Sequence, residues 1–162
     1  RRGLVLDFSV AQNMVLGIHY RSPYVRHMLL DVINFGPIRE KAQRLLQKFD
    51  IRPPDQENPV GNLSGGNQQK VIVAREFDQN PTLLIAAQPT RGIDVGSIEF
   101  IHQRLLQARD DGKAILLVSA DLEEILSLSD RIAVMSGGQI VGLLDPAEAT
   151  DARLGLMMTG GG

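Results

Sequence analysis

The residues with the most chemical promise are Leu63-Ser64-Gly65-Gly66-Asn67-Gln68. Two adjacent glycines let a backbone approach a ligand closely, and a helix opening at that point would aim its free amides outward, which suits a phosphate. Ser64 adds a hydroxyl donor, and Asn67 and Gln68 add neutral amides able to donate to phosphate oxygens without fixing a metal. The same residues would also serve as an ordinary helix cap after a turn, and spacing alone favours that simpler role. Gly61 to Gly66 has the four-residue spacing of a nucleotide-binding P-loop, but Asn67-Gln68 stands where Lys and Ser/Thr are required, and the sequence contains no true P-loop. Any phosphate held at Ser64 to Gln68 must have its main cradle elsewhere. His19, His27 and His102 are not spaced as a metal set, so no metal ligand is assigned, and His102 falls on a helix face expected to be exposed.

Helices and strands must position that turn. Ser9-x-x-Gln12 is a capping box that predicts a helix from Ser9 to Leu16. Ala42, Leu45, Leu46 and Phe49 recur at helical spacing, with Arg39, Lys41, Arg44 and Lys48 between them as a solvated basic face that also takes in Arg21 and Arg26. The mixed stretch from Arg21 to Asn34 is expected to be helical. Three prolines between Arg52 and Val60 oppose regular structure before the glycine turn, where a further helix should begin. Beyond Pro81 the pattern changes to strand 83–87, helix 97–109, strand 114–119 and helix 122–128, the order of a parallel α/β sheet. Ile132 to Met135 and Gln139 to Leu144, split by Gly137-Gly138, read as a closing pair of strands, and Asp145-Pro-Ala-Glu148 as a helix start. The methionines, Met157 and Met158 included, are expected to pack in the core.

A chain of 162 residues, 43% of them hydrophobic, is long enough to bury one core. Its net charge of -2 and pI near 5.9 give no general reason to approach nucleic acid or anionic lipid. With no cysteine, a disulfide framework and a thiolate metal site are excluded, and the cytoplasm is the default compartment. No apolar run approaches the roughly 20 residues that span a bilayer. The Arg1-Arg2-Gly3 start, without methionine, reads as a piece of a longer protein, and Gly160-Gly161-Gly162 as a frayed tail.

Leu63-Ser-Gly-Gly-Asn-Gln-Gln-Lys70, followed by Leu83-Leu-Ile-Ala-Ala-Gln-Pro-Thr-Arg-Gly-Ile-Asp94, resembles the ATP-binding-cassette (ABC) ATPases. The resemblance covers nearly the whole chain and is strongest to the second, C-terminal cassette of the tandem-cassette ATPases that power sugar and nucleoside importers. It implies an α/β fold: a helical signature subdomain over residues 1–78, then part of a RecA-like parallel sheet over 79–162, with the Walker A strand absent. Ser64, Gly65, Gly66, Asn67 and Gln68 would match the signature that touches the γ-phosphate of ATP held by the opposite cassette's P-loop. Asp94 would match the D-loop at the cassette interface; by residue type alone it is equally a solvated turn aspartate.

The departures from that pattern are informative too. The family's magnesium-positioning Asp is Ala87 here, its catalytic Glu is Gln88, and its switch histidine is Ala120. A neutral amide cannot take the attacking water's proton, and losing a general base typically costs about 10²- to 10⁴-fold. No catalytic residue is then intact on this side, the chain alone is expected to be inactive, and ATP with Mg2+ would be held mainly by the partner site. The implied partners are the other cassette of the same chain or a second copy, and transmembrane permease subunits, with part of Tyr20 to Phe35 against a coupling helix. No nucleic acid is expected. The resemblance places the protein in the cytoplasm, peripheral on the inner face of the membrane. A sheet edge left open by the missing strand would permit a homodimer. The solute, sugar or nucleoside, stays open, with Ala-Ala-Gln-Pro-Thr leaning towards nucleosides. A soluble cassette protein acting on nucleic acid or ribosomes, and a structural or regulatory module, are the alternatives.

Overall fold

The structure, a computed structural model, describes residues 3–27 and 30–159. Expectations for Arg1-Arg2, for Met28 and Leu29, and for Gly160 to Gly162 lie outside the described residues. The chain forms two compact units. The first comprises the residues up to Thr82 together with Thr90–Ile101; the second comprises Leu83–Pro89 and the residues from His102 onward.

In the first unit, helix α1 (Val10–Met14) opens on the expected capping box: Ser9 Oγ accepts from the Gln12 amide at 3.2 Å, and Gln12 Oε1 accepts from the Ser9 amide at 2.8 Å. The helix ends earlier than expected, in turns from Val15 onward. The buried side chain of Asn13 acts on the segment before the helix. Its Oδ1 accepts from the Val5 amide at 2.9 Å, and its Nδ2 donates to the carbonyls of Val5 and Ser9, each at 3.0 Å. Arg75 Nη1 donates to the Gly3 carbonyl at 2.8 Å.

The helix expected over Arg21 to Asn34 is instead a hairpin. Strands β1 (Val25–His27) and β2 (Asp31–Ile33) pair antiparallel, with Val25 opposite Ile33 and Arg26 opposite Val32. The β-branched Val25, Val32 and Ile33 favour extended backbone, and of the six strand residues only Val25 is buried, so no helical stripe had a core to cover.

Helix α2 (Phe35–Lys48) buries Ile38, Lys41, Ala42, Leu45 and Leu46, the three-and-four spacing of one helix face. Lys41 thus departs from the expected solvated basic face. It lies on the apolar stripe, 7% exposed, with Nζ 3.0 Å from Asp78 Oδ2, while Arg44 Nη2 reaches Asp78 Oδ1 at 2.9 Å. Asp78 ends helix α3 (Gly65–Asp78), so this triad ties the end of α3 to the middle of α2.

In the second unit, strands β3 (Leu83–Ala87) and β4 (Ala114–Val118) pair in parallel, from Leu83 opposite Ala114 to Ala87 opposite Val118. The strand connecting helix α4 (Val95–Asp110) begins in the first unit and ends in this one. Helix α5 (Leu122–Leu128) follows, capped by Asp121, whose side chain accepts from the Glu124 amide. His102, expected to be exposed, is half-buried: Nε2 lies 3.0 Å from Oε1 of Glu124, which is 2% exposed.

Strands β5 (Ile132–Ser136) and β6 (Gln139–Leu144) form the expected hairpin, turning at Gly137 and Gly138, whose φ values of 56° and 79° are the left-handed pair that a tight two-residue turn demands. The helix start expected at Asp145 is a short 3-10 turn (Pro146–Glu148). Helix α6 (Asp151–Met158) begins later, because Ala149 is extended and buried and Thr150 supplies the cap through its hydroxyl to the Arg153 amide at 3.3 Å. Ile132, Val134, Leu144, Ala149 and Leu154 form a buried cluster in this unit, with Met157 packed against it, whereas Met135 and Met158 are exposed and depart from the core packing expected of the methionines. The architecture is α/β with a partial parallel sheet and flanking helices, as the sequence pattern predicts.

Candidate functional site

Ser64 is the N-cap of α3, extended at φ -59° and ψ 157°, with Gly65 and Gly66 as the first two helical residues. The first four amides of a helix lack intrahelical partners. Here Ser64 Oγ accepts from the Asn67 amide at 3.3 Å and the Ser64 carbonyl from the Gln68 amide at 2.8 Å. The amides of Gly65 and Gly66 have no partner within the helix, and that of Gly65 lies on an exposed residue at the positive end of the α3 dipole. Ser64 and Gly65 are exposed, while Gly66 is buried.

The side-chain amides of the turn face inward. Asn67 Nδ2 donates to Ser64 Oγ at 3.0 Å, and Asn67 Oδ1 accepts from the Arg52 amide at 2.8 Å. Gln68 Nε2 donates to the Leu63 carbonyl at 3.0 Å. Each amide nitrogen retains a second hydrogen.

Asp94 sits against this turn. It precedes α4 and caps it, with Oδ1 accepting from the Ser97 amide and Oδ2 from the Ser97 hydroxyl, both at 2.9 Å. These bonds from Ser97, backbone first, hold the Asp94 carboxyl below its usual range, with Lys70 adding a smaller favourable charge. Gly66 owes its identity to this neighbour. A Cβ there would meet Asp94 Oδ2 at 2.5 Å and collide with Ser97 Oγ, whereas a Cβ on Gly65 would rest 3.7 Å from the Gly92 carbonyl, an ordinary contact. So the structure brings Ser64 to Gln68 and Asp94 together in one unit.

Ala87, Gln88 and Ala120 form a second group, in the other unit, at the carboxyl end of the parallel pair. Ala87 lies opposite Val118, the Gln88 amide donates to the Val118 carbonyl at 2.7 Å, and Ala120 follows two residues later. Carboxyl ends of parallel strands are where α/β folds place ligands. Gln88 has φ 51°, a left-handed conformation uncommon outside glycine and frequent where a site over-determines the backbone. Among the described residues no group of three or more His, Asp or Glu is placed to hold a metal ion, and no helix is long and apolar enough to cross a membrane.

Sequence reasoning missed Arg52, Lys70 and Ser97. Ser97 was discoverable, because Asp94-x-x-Ser97 has the spacing of a helix cap. Arg52 was not, since its part is played by a backbone amide. Lys70 Nζ donates to the Asp50 carbonyl at 2.9 Å and lies 4.7 Å from the Phe100 ring centroid, contacts between distant segments.

No family model matches the chain. It is 51% identical over 160 residues to the guanosine import ATP-binding protein NupO of Bacillus subtilis, and 50% identical over 161 residues to the nucleoside import ATP-binding protein NupA of Lactococcus lactis, covering 99% of this chain in both. The glucose import ATP-binding protein TsgD13 of Haloferax volcanii is 42% identical over 164 residues. The chain spans 31%, 31% and 29% of the length of these three relatives. Among solved structures, the dimeric ATP-binding cassette MJ0796 in a post-hydrolysis state with ADP and Pi superimposes with a TM-score of 0.70 at 24% identity, over 88% of this chain and 59% of that one. The chain has the α/β fold of an ABC ATPase cassette and is homologous, over nearly its whole length, to the ATP-binding proteins of nucleoside and sugar import.

Proposed function

We propose that this chain serves in the ATP-binding subunit of a nucleoside importer, where the turn Ser64 to Gln68, as a unit, presents its donors to the γ-phosphate of ATP held by the P-loop of a partner cassette. The observation that carries this reading is the exposed N-terminus of α3. The exposed Gly65, whose amide has no helical partner, and the exposed Ser64 hydroxyl lie side by side there, a donor set that fits phosphate oxygens and offers no carboxylate to a metal. Transport would be driven by hydrolysis of the β–γ phosphoanhydride bond of ATP bound by the partner, water taking the phosphoryl group and ADP leaving, and Mg2+ would be held from the partner side. This chain's contribution is to bind and orient the terminal phosphate, with Asp94 bracing the turn from beneath at the cassette interface. Residues 1–78 act as the helical signature subdomain and 79–162 as part of the RecA-like core.

Ala87, Gln88 and Ala120 leave the chain's own composite site without a magnesium-positioning carboxylate, a general base or a switch histidine. A Gln can orient water but cannot accept its proton, so hydrolysis is asymmetric between the two sites. Nucleosides are favoured over sugars because the nucleoside-import relatives are 51% and 50% identical and the glucose and ribose ones 42% and 40%. The exposed apolar residues Tyr20, Val32, Ile33 and Phe35 face the permease subunits, which holds the protein on the cytoplasmic face of the membrane. The test is ATPase activity of the full-length protein with its permease subunits, comparing wild type with Ser64→Arg. Collapse of turnover with the fold intact supports the signature role; unchanged turnover overturns it in favour of a structural module.

A further inference from the structure

Asn67 is held in one orientation. The Arg52 amide can only donate, so it fixes the oxygen of the Asn67 side chain on its own side, at 2.8 Å. The Asn67 nitrogen must then face Ser64, where Nδ2 donates to Oγ at 3.0 Å. The Asn67 backbone amide donates to the same Oγ at 3.3 Å. A serine hydroxyl has two lone pairs and one proton. Both lone pairs of Ser64 are occupied from within the protein, and its proton is left to point outward from an exposed residue. The Arg52 segment is itself anchored: Lys70 Nζ donates to the Asp50 carbonyl at 2.9 Å, and Arg52 Nε to Asp50 Oδ1 at 2.9 Å.

We propose that Asn67 is a positioning residue that makes Ser64 a pure hydrogen-bond donor, so that the signature turn recognises an anionic terminal phosphate oxygen and cannot offer an oxygen ligand to the accompanying cation. The proposal rests on the signature role given above and specifies its chemistry. Asn67 acts through Ser64, and its effect disappears when Ser64 is absent.

A double-mutant cycle in the full-length protein with its permease subunits tests this, with Ser64→Ala, Asn67→Ala and the double variant compared by steady-state kcat and KM for MgATP. Losing the proton's orientation is worth about one neutral hydrogen bond, so Asn67→Ala lowers kcat/KM about three- to tenfold. In the Ser64→Ala background the same substitution changes it less than about twofold. Multiplicative losses would overturn the proposal, because Asn67 would then contact the nucleotide itself. Asn67→Asp guards against a folding defect: it keeps the acceptor for the Arg52 amide while replacing the donor to Ser64 by a second acceptor, and it should lower kcat/KM at least as far as Asn67→Ala at unchanged thermal midpoint. Wild-type kcat/KM in Asn67→Asp would overturn it as well. No effect of Ser64→Ala alone would instead sink the signature reading on which the proposal stands.

Discussion

Gly65 and Gly66 are adjacent, both helical, and of equal intrinsic propensity, yet alanine should act on them with opposite sign. Replacing glycine by alanine inside a helix gains up to about 1 kcal/mol, less in the first turn, through backbone entropy. At Gly65 that gain has nothing to oppose it, since the new methyl meets only the Gly92 carbonyl at ordinary van der Waals distance, 3.7 Å. At Gly66 the methyl would sit 2.5 Å from Asp94 Oδ2 and inside the contact distance of Ser97 Oγ. Neither atom belongs to a loose side chain, because the two residues hold each other through bonds of 2.9 Å. Overpacking of this kind costs about 1–3 kcal/mol, which outweighs the propensity gain. Equilibrium urea unfolding should place the Gly65→Ala midpoint at or slightly above wild type and the Gly66→Ala midpoint below it, by a difference of about 1–3 kcal/mol between the variants. Two shifts of the same sign and size would refute the close approach of the turn to Asp94.

Three further outcomes follow from other parts of the molecule. Asp78→Ala strands the buried Lys41 ammonium and should cost about 3–5 kcal/mol in urea unfolding, whereas Arg44→Ala, on a half-exposed partner, should cost about 1 kcal/mol or less. Burial raises the Asp78 carboxyl, but the bonds and charges of Lys41 and Arg44 together outweigh it and hold it below its ordinary 3.8; its stabilising contribution is therefore present above about pH 3.8 and fades as pH falls through the lower folded value, a loss that a pH series on wild type should show and Asp78→Ala should lack. In the full-length protein, Ala87→Asp combined with Gln88→Glu should leave ATP turnover within about twofold, since Ala120 still lacks the switch histidine; a rise of tenfold or more would show that the site is not degenerate in several parts.

Legibility from sequence followed the distance over which each decision is made. Strand β3 was readable because an apolar run of five is bounded by prolines on both sides, and the β5–β6 turn because two glycines are what its backbone requires. The hairpin β1–β2 was obscured by charged residues set among its apolar ones, in strands of three residues too short to establish a period. Lys41 lies on the same helical stripe as Ile38 and Leu45, so position alone marked it as buried; its charge argued otherwise, and the partner that reconciles the two, Asp78, comes far later in the chain. His102 was misjudged for the same reason, with Glu124 on another helix. The glycine turn at the candidate site was plain from residue type. The inward use of Asn67 was not, because its decisive contact is a backbone amide fifteen positions away, and a backbone amide carries no residue identity.

The segment ahead of α1 shows how order can be lent across a chain. Residues 3–8 belong to no helix or strand beyond turns. What fixes the start of the stretch is a side-chain amide at position 13 that gives to and takes from Val5 as a neighbouring strand would, and a guanidinium at position 75 that closes on the Gly3 carbonyl. The instructions for this stretch are written elsewhere. Backbone amides of Val60 and Gly61 hold its far end, donating to the carbonyls of Phe8 at 3.0 Å and Leu6 at 2.9 Å, so a substitution at position 13 or 75 would loosen the Gly3 to Val5 end while its own sequence stayed untouched.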